Sequence, residues 1–174
     1  MTEHYKIQTV RPDHADAIVQ LLAELGYPGQ DVSQVLQRIS KFKDDLNSHN
    51  IVIVKNDINS NNAALSAHRF ASMNSCEVVG LASFYITPLF HTDGNLGRIT
   101  ALVVAEMYRG LGLGKLLIHY LEGFALRHDC ARMELTSSQE RVNAHQFYLN
   151  SGFKSYDGKR FIKDLAMLPS PQIK

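Results

Sequence analysis

The sequence predicts a mixed α/β fold in a single domain. Two observations support this prediction: strand-like and helix-like hydrophobic patterns alternate along the chain, and no segment repeats. The length of 174 residues suits one ordinary domain that buries a substantial core. Apolar residues at 45% and charged residues at 20% are typical of a folded globular protein, so a disordered or fibrous chain is excluded.

The first half of the chain predicts a strand, two helices and a second strand. Residues 5–10 alternate between apolar and polar side chains, as a half-buried strand does. Apolar residues at helical spacing follow until Gly26, and a second helical run begins at Asp31. A short strand occupies 51–55. The Asn- and Ser-rich residues 56–75 lack a steady period, which predicts a mobile insertion between two strands.

The second half predicts five strands and two helices. A long strand at 77–86 and a loop at 87–97 precede a β-branched apolar strand at 99–104. The remaining predicted elements are a helix at 115–126, a strand at 132–136, a helix at 141–150 and two strands at 154–156 and 160–163. The predicted order is therefore β-α-α-β-β-β-α-β-α-β-β.

Charge, hydropathy and cysteine content narrow the class of protein. A net charge of +1 gives no electrostatic reason to expect binding to nucleic acid or to an anionic membrane. No apolar run reaches the roughly 18–20 residues of a membrane span, and residues 1–4 do not resemble a signal peptide. Cys76 and Cys130 lack metal-ligand spacing, so we expect no metal and two reduced thiols in a cytoplasmic protein.

A glycine-rich segment joins the strand at 99–104 to the following helix. Residues 108–115 read YRGLGLGK, with three glycines and two cations within seven residues. Glycines let a backbone approach a ligand closely, and the unpaired N–H groups of a first helical turn favour an anion. The segment therefore predicts a loop that holds a phosphorylated ligand.

Other interpretations of this segment fit less well. A P-loop has four residues between its first glycine and its Gly-Lys pair, then Ser or Thr. Here Gly110 and Gly114 enclose three residues, and Leu116 follows Lys115. A dinucleotide-binding loop reads G-x-G-x-x-G in the first strand–helix unit, whereas this segment reads G-x-G-x-G and comes late in the chain. A loop that only connects the strand to the helix would not need so many glycines and cations.

The spacing Arg109-x-x-Gly112-x-Gly114 resembles the acyl-CoA pyrophosphate loop of the GNAT superfamily of N-acetyltransferases. Residues 144–153 (AHQFYLNSGF) resemble the later A-x-x-x-Y-x-x-x-G-F segment of the same superfamily. Motifs cover about 97–153, and the element order matches from Tyr5 onward. The resemblance implies a mixed, mostly antiparallel sheet that is splayed around the acyl-CoA strand and flanked by about four helices.

The resemblance implies acetyl-CoA as the cosubstrate and assigns residues to it. The pyrophosphate would lie on the N–H groups of 111–115 with Arg109 beside it, and the pantetheine arm would pair with the end of the preceding strand, where a bulge would free donors. The expected acetyl-CoA-binding residues are Leu102, Val103, Val104, Arg109, Gly110, Leu111, Gly112, Leu113, Gly114, Lys115, Arg141 and Tyr148.

The resemblance also implies direct attack of an amine on the thioester. The Val104 N–H is the expected donor to the thioester oxygen, and Tyr148 is the expected acid for the leaving thiolate, because a phenol is protonated at neutral pH. Many relatives carry a carboxylate at the place of Thr100 or Ala101, and this chain has none. His91, in the loop that should border the acceptor cleft, is therefore the candidate base, with a base acting through water as the alternative.

Arg141 marks a second departure, because many relatives have Asn there to contact the CoA arm. Segments LGYP (25–28), TS (136–137) and AHxFY resemble acetyltransferases for small molecules, including aminoalkylphosphonates and aminoglycosides. We therefore expect an N-acetyltransferase domain over 3–168, with a tail at 169–174, that acetylates a primary amine of a small molecule. A non-catalytic acyl-CoA-binding module and a protein N-acetyltransferase are the alternatives. The sequence does not identify the amine, and it does not decide whether the protein forms a homodimer.

Overall fold

A computed structural model describes residues 4–56 and 77–163 of the chain. The helices and strands of the described residues are β1 (Tyr5–Thr9), α1 (Ala15–Leu25), α2 (Val32–Phe42), β2 (Ser48–Lys55), β3 (Glu77–Pro88), β4 (Asn95–Val104), α3 (Leu113–Arg127), β5 (Cys130–Glu134) and α4 (Val142–Asn150). The predicted insertion at 56–75 lies, apart from Asn56, outside the described residues. The chain divides into two compact units, Met1–Thr136 and Ser137–Lys174.

The first unit is built on one five-stranded sheet with the order β1-β2-β3-β4-β5. The pairs β1–β2, β2–β3 and β3–β4 are antiparallel, and the pair β4–β5 is parallel. Pairing between β4 and β5 stops at Arg98 and Glu134, whereas β4 continues to Val104. The two strands are thus splayed beyond Arg98, which confirms the predicted mixed, mostly antiparallel sheet that opens around the fourth strand.

Strand alternation distributes the core over both faces of this sheet. Helices α1 and α2 pack on one face, where their buried residues meet Val52, Val54, Leu81 and Val103. Helix α3 packs on the other face, where the Phe124 ring meets the edge of the Phe84 ring at a centroid distance of 5.9 Å. The apolar periods of 2 and 3.6 residues in the sequence reflect this layering.

Backbone irregularities shape β3 and β4. In the pairing of β3 with β4, Ser83 faces Ala101 and Phe84 faces Ile99, so Thr100 is the extra residue of a bulge. Strand β3 is also irregular beside Gly80, where an added Cβ would lie 3.3 Å from the Val103 carbonyl oxygen. The bulge that the sequence analysis expects in the strand before the glycine-rich loop therefore lies at Thr100.

The predicted bounds of one loop and the presence of two predicted strands were wrong. The loop predicted at 87–97 is restricted to 89–94, because β3 runs to Pro88 and β4 begins at Asn95. The second unit contains α4 but no strand among its described residues, so the predicted strands at 154–156 and 160–163 are absent there. Their apolar side chains, such as Tyr156 and Phe161, are exposed. An apolar pattern forms a strand only where a neighbouring strand pairs with it, and none does here.

No helix within 4–56 or 77–163 is both long enough and apolar enough to cross a membrane.

Candidate active site

The end of β4 presents an open backbone edge. The Ala105 N–H donates to the Val79 carbonyl oxygen at 2.9 Å, so Ala105 and Val79 form a hydrogen-bonded antiparallel pair. Since such pairs alternate along a ladder, Val103 also pairs with β3, whereas Leu102 and Val104 direct their N–H and C=O groups away from it. Strand β5 does not reach this part of β4. Leu102 and Val104 are therefore available to a ligand, and the backbone groups of Val103, which was predicted with them, face β3 instead.

The glycine-rich loop leads from this edge into α3. Gly110 and Gly112 have φ angles of 79° and 81°, a left-handed conformation that favours glycine. No atom lies within 4 Å of a Cβ built at either position, so the loop borders open space. Gly112 is the N-cap of α3 and, being a glycine, has no side chain that could cap that helix end. Helix geometry leaves the first N–H groups, at 113–115, without intrahelical acceptors. The loop and helix end therefore fit a pyrophosphate.

Side chains of the loop divide between the core and solvent. Leu113 is buried and fixes the start of α3, whereas Leu111 and Lys115 are exposed. The predicted contacts of residues 110–115 with a phosphorylated ligand thus depend on main-chain N–H groups, because the apolar side chains cannot bind an anion.

Arg109 is anchored to the protein on one edge of its guanidinium. Its Nε donates to the Val104 carbonyl oxygen at 3.0 Å, and its Nη2 donates to Glu24 Oε2 at 2.8 Å. About half of the side chain is exposed. Glu24 lies in the last turn of α1, far from the loop in sequence, and sequence patterns gave no signal for this contact because a single acidic residue in an amphipathic helix usually lies in solvent.

Another group of side chains holds the turn that precedes the loop. Residues Glu106–Tyr108 form a 3-10 turn. The Tyr108 hydroxyl accepts a hydrogen bond from Lys55 Nζ at 3.2 Å, and Lys55 also pairs with Glu77 at 3.4 Å. The pKa of the Tyr108 phenol is raised, first by its hydrogen bond with Glu77 and then by burial. The phenol is therefore protonated near neutral pH and serves as an anchor.

An acidic cleft of about 650 Å³ lies between α1 and this turn. Its carboxylates come from Asp13, Asp16, Glu24, Glu77 and Glu106. The sequence patterns did not predict this cleft, because its residues come from three separate segments of the chain, 13–24, 77–78 and 105–108.

In the second unit, the Y-x-x-x-G-F segment forms the end of α4. Gly152 has a φ of 87°, its N–H donates to the Leu149 carbonyl oxygen, and the Phe153 N–H donates to the Tyr148 carbonyl oxygen. This hydrogen-bond pattern is a Schellman motif, in which Gly supplies the left-handed residue and the next residue packs back on the helix. The Phe153 ring accordingly contacts the Tyr148 ring at a centroid distance of 5.9 Å. The motif therefore fixes the Tyr148 side chain within this unit.

Burial raises the pKa of the Tyr148 phenol, and the positive charge of Arg141 opposes that shift. The phenol thus stays protonated at neutral pH, as a proton donor must. Arg141 is exposed at the start of α4, where its N–H donates to the Ser138 carbonyl oxygen at 3.2 Å. Its effect on the Tyr148 pKa is electrostatic.

The residues considered for proton removal lie apart from one another along β4. Thr100, at the bulge, is exposed and donates to the Ser83 hydroxyl oxygen at 2.9 Å. His91 is exposed at the tip of the β3–β4 hairpin. Residues 95 and 100 are separated by about 16 Å of extended strand, and His91 lies beyond residue 95. Proton transfer requires contact or one intervening water, and the role of His91 as the base stays a prediction.

Comparison with known proteins agrees with this geometry. Residues 37–153 match the Acetyltransferase (GNAT) family over two thirds of the chain. The chain belongs to this family. It is 32% identical to an aminoalkylphosphonate N-acetyltransferase from Salmonella typhimurium and 35% identical to a glucosamine 6-phosphate N-acetyltransferase from Trypanosoma brucei brucei. Each alignment covers 51% of this chain and 58% of the relative, so the chain spans little more than half the length of either.

The fold is also similar to that of solved structures. Glucosamine-6-phosphate N-acetyltransferase from Arabidopsis thaliana superimposes with a TM-score of 0.71 and 20% sequence identity, covering 94% of this chain and 99% of the other. At this identity the similarity concerns the fold alone. It confirms the GNAT-type architecture expected from the sequence motifs.

Proposed function

We propose that this GNAT-family protein is an acetyl-CoA-dependent N-acetyltransferase that acetylates a primary amine of a small molecule by direct attack. One observation carries this proposal: the open edge of β4 at Leu102 and Val104 continues directly into the Gly110–Gly112 loop and the uncapped start of α3. Acetyl-CoA supplies an activated acetyl thioester when bound. An extended arm with amides suits an open strand edge, and a pyrophosphate suits the adjoining loop.

Each part of the site has a proposed role. The main-chain groups of Leu102 hold a pantetheine amide, and the Val104 N–H donates to the thioester oxygen, where negative charge develops. The N–H groups of 111–115 hold the pyrophosphate, and the free part of the Arg109 guanidinium adds a charge-assisted hydrogen bond.

We propose from the family resemblance that Tyr148 protonates the leaving thiolate. The raised pKa of this phenol supports the proposal, because it keeps the proton on the oxygen at neutral pH. Arg141 is proposed to contact the CoA phosphates through its exposed side chain. We infer that a water near the exposed Thr100 hydroxyl, which lies at the β4 bulge and donates to the Ser83 hydroxyl oxygen, takes the proton of the attacking ammonium.

The names of the relatives support a small-molecule acceptor. One relative is named for aminoalkylphosphonates and two for glucosamine 6-phosphate, and each of these compounds has a primary amine and a phosphorus-containing anion. We also propose a cytoplasmic location, a single catalytic domain over 3–168 that carries the 56–75 insertion, and no direct binding to nucleic acid. We also propose that the protein can form a homodimer, and light scattering, which measures the mass in solution, tests this.

An amine panel tests the proposed activity. Purified protein is incubated with acetyl-CoA and aminoalkylphosphonates, amino sugars, amino-sugar phosphates, aminoglycosides or peptides, and free CoA is measured. We expect CoA release with at least one small amine, and a much lower turnover for Tyr148→Phe. Tyr156→Phe is the matched control, because Tyr156 is a 94%-exposed tyrosine of the same unit. Acetyl-CoA binding without turnover on any amine would instead favour a non-catalytic module, and turnover on peptides alone would favour a protein acetyltransferase.

A further inference from the structure

The carboxylate of Glu24 holds the segment that leads into the glycine-rich loop. One oxygen, Oε2, accepts the Glu106 N–H at 2.9 Å and Arg109 Nη2 at 2.8 Å. About a third of the Glu24 side chain is exposed. Helix α1 therefore fixes both the beginning of the 3-10 turn and the arginine that follows it.

These contacts determine how Arg109 is oriented. Nε is bound to the Val104 carbonyl oxygen at 3.0 Å, so the edge formed by Nε and Nη2 is held by β4 and α1 together. A guanidinium is planar and rigid. Fixing one edge consequently fixes the direction of the remaining nitrogen, Nη1, which has no hydrogen-bond partner within 4–56 and 77–163.

Electrostatics alone would argue against an acidic residue at this place. A carboxylate beside an anion-binding loop repels the anion, and the cleft that contains Glu24 has four further carboxylates. Asp16 lines the same cleft from the same helix but has no hydrogen bond or ion pair among the described side chains comparable to the Glu24–Arg109 pair. The two acidic residues are thus a matched pair that differs in the contact to Arg109.

We propose that Glu24 is a positioning residue that orients Arg109 toward the pyrophosphate of acetyl-CoA. This inference rests on the proposed function, because the proposed function places the pyrophosphate of acetyl-CoA on the loop. It predicts that removing the Glu24 carboxylate weakens acetyl-CoA binding, whereas simple relief of repulsion would strengthen it. The opposite signs make the two explanations separable.

A double-mutant cycle on acetyl-CoA binding tests the proposal. Calorimetry gives the Kd of acetyl-CoA for the wild type, Glu24→Ala, Arg109→Ala and the double variant. We expect Glu24→Ala to raise the Kd about tenfold when Arg109 is present. When Arg109 is already replaced by Ala, the same substitution should raise the Kd less than about twofold, because the effects of two coupled residues on binding are not additive. Asp16→Asn should not raise the Kd, and Glu24→Gln, which keeps an acceptor for the Glu106 N–H, should fall between wild type and Glu24→Ala.

Hydrogen exchange of the free protein provides a readout that needs no ligand. Glu24→Ala should speed amide exchange at 106–109, and Asp16→Asn should not. Unchanged exchange at 106–109, a tighter Kd, or an equal Kd effect in both Arg109 backgrounds would overturn the proposal. Wild-type protein that does not bind acetyl-CoA would refute the proposed function instead, and the exchange measurement would still show whether Glu24 anchors the turn.

Discussion

Tyr148 is a half-buried phenol whose backbone closes a helix and whose hydroxyl stays protonated. Its carbonyl oxygen accepts the Phe153 N–H at 3.1 Å, and its ring packs against Phe147 and Phe153. Both features limit the freedom of the side chain. A proton donor works best when its position and protonation state are fixed before the reaction.

Replacement of Tyr148 by Phe should lower kcat by about 10²- to 10⁴-fold at neutral pH, the usual range for a general acid. The pKa of Tyr148 is raised above its ordinary value of 10.0, so the wild type should keep this advantage up to at least pH 10. Above the raised pKa the phenol is ionised and cannot donate a proton, so the kcat of the wild type should approach the kcat of Tyr148→Phe. A kcat–pH profile of both proteins checks this, and equal rates at pH 7 would remove Tyr148 from the mechanism.

At the level of elements, β3, β4 and α3 pack most closely at Gly97. A Cβ at this position would lie 2.2 Å from Cζ of Phe84, whose buried ring in turn meets Phe124 of α3. Glycine at this position of β4 thus allows the Phe84 ring to lie against the strand. The Phe84 ring cannot move freely, because it is buried and packs against Phe124.

Gly97→Ala should lower the free energy of unfolding by about 1–3 kcal/mol, the range for overpacking a core. Gly123→Ala is the matched control within the same three elements. It lies in α3, where an added Cβ would meet only the end of the Arg127 side chain at 3.4 Å. Removing a glycine from a helix interior should raise the free energy of unfolding by about 0.5–1 kcal/mol. Urea denaturation measures the free energy of unfolding of both variants. A change of the same sign in both would contradict this packing.

Gly97 also shows why some boundaries could not be predicted. Glycine signals a turn in sequence, and the residue was therefore assigned to a loop at 87–97. The structure uses it inside β4 to admit a ring from β3. Local patterns predicted the helices, the central strands and the glycine loop well, because burial has a period in those segments.

Features that depend on distant residues could not be predicted. The contact between Glu24 and Arg109 joins residues 85 positions apart, and the open edge at Leu102 and Val104 depends on where β5 stops pairing. The strand pattern at 160–163 has no partner strand among the described residues. Composition and spacing contain no information on such long-range pairing.

At the scale of the whole molecule, buried histidines make stability depend on pH. His49 stacks on Phe124 at a centroid distance of 3.9 Å, and its Nε2 atom is buried with no hydrogen-bond partner among residues 4–56 and 77–163. Burial lowers the pKa of His49, and the charges of His128 and Arg127 lower it further. The pKa of the buried His14 is also lowered, by burial first. Both histidines therefore favour the neutral form in the folded protein.

These shifts predict loss of stability in acid. Between the ordinary pKa of 6.5 and the lower folded pKa, the unfolded chain binds a proton that folded His49 does not. The free energy of unfolding should then fall as pH drops below 6.5, by at most about 1.4 kcal/mol per pH unit for each histidine. His49→Phe keeps the stacking and removes the titration, so its slope below pH 6.5 should be shallower.

Urea denaturation between pH 5 and 8 measures that slope. His119→Asn is the control, because it also removes a histidine, but one whose side chain is 89% exposed. The same slope in His49→Phe and the wild type would show that His49 does not control acid stability.

We claim that the β4 edge and the Gly110–Gly112 loop bind acetyl-CoA, and the Kd of acetyl-CoA for two glycine variants provides a test. Gly112→Ala and Gly29→Ala both place a Cβ on a left-handed residue, at φ angles of 81° and 85°, with no atom within 4 Å. Their backbone strain should be similar, of the order of 1–2 kcal/mol. We predict that the wild type and Gly29→Ala bind acetyl-CoA equally and that Gly112→Ala binds it at least about tenfold more weakly, because its backbone can no longer present the loop N–H groups. Equal affinity of all three proteins, or no binding by the wild type, would contradict the claim.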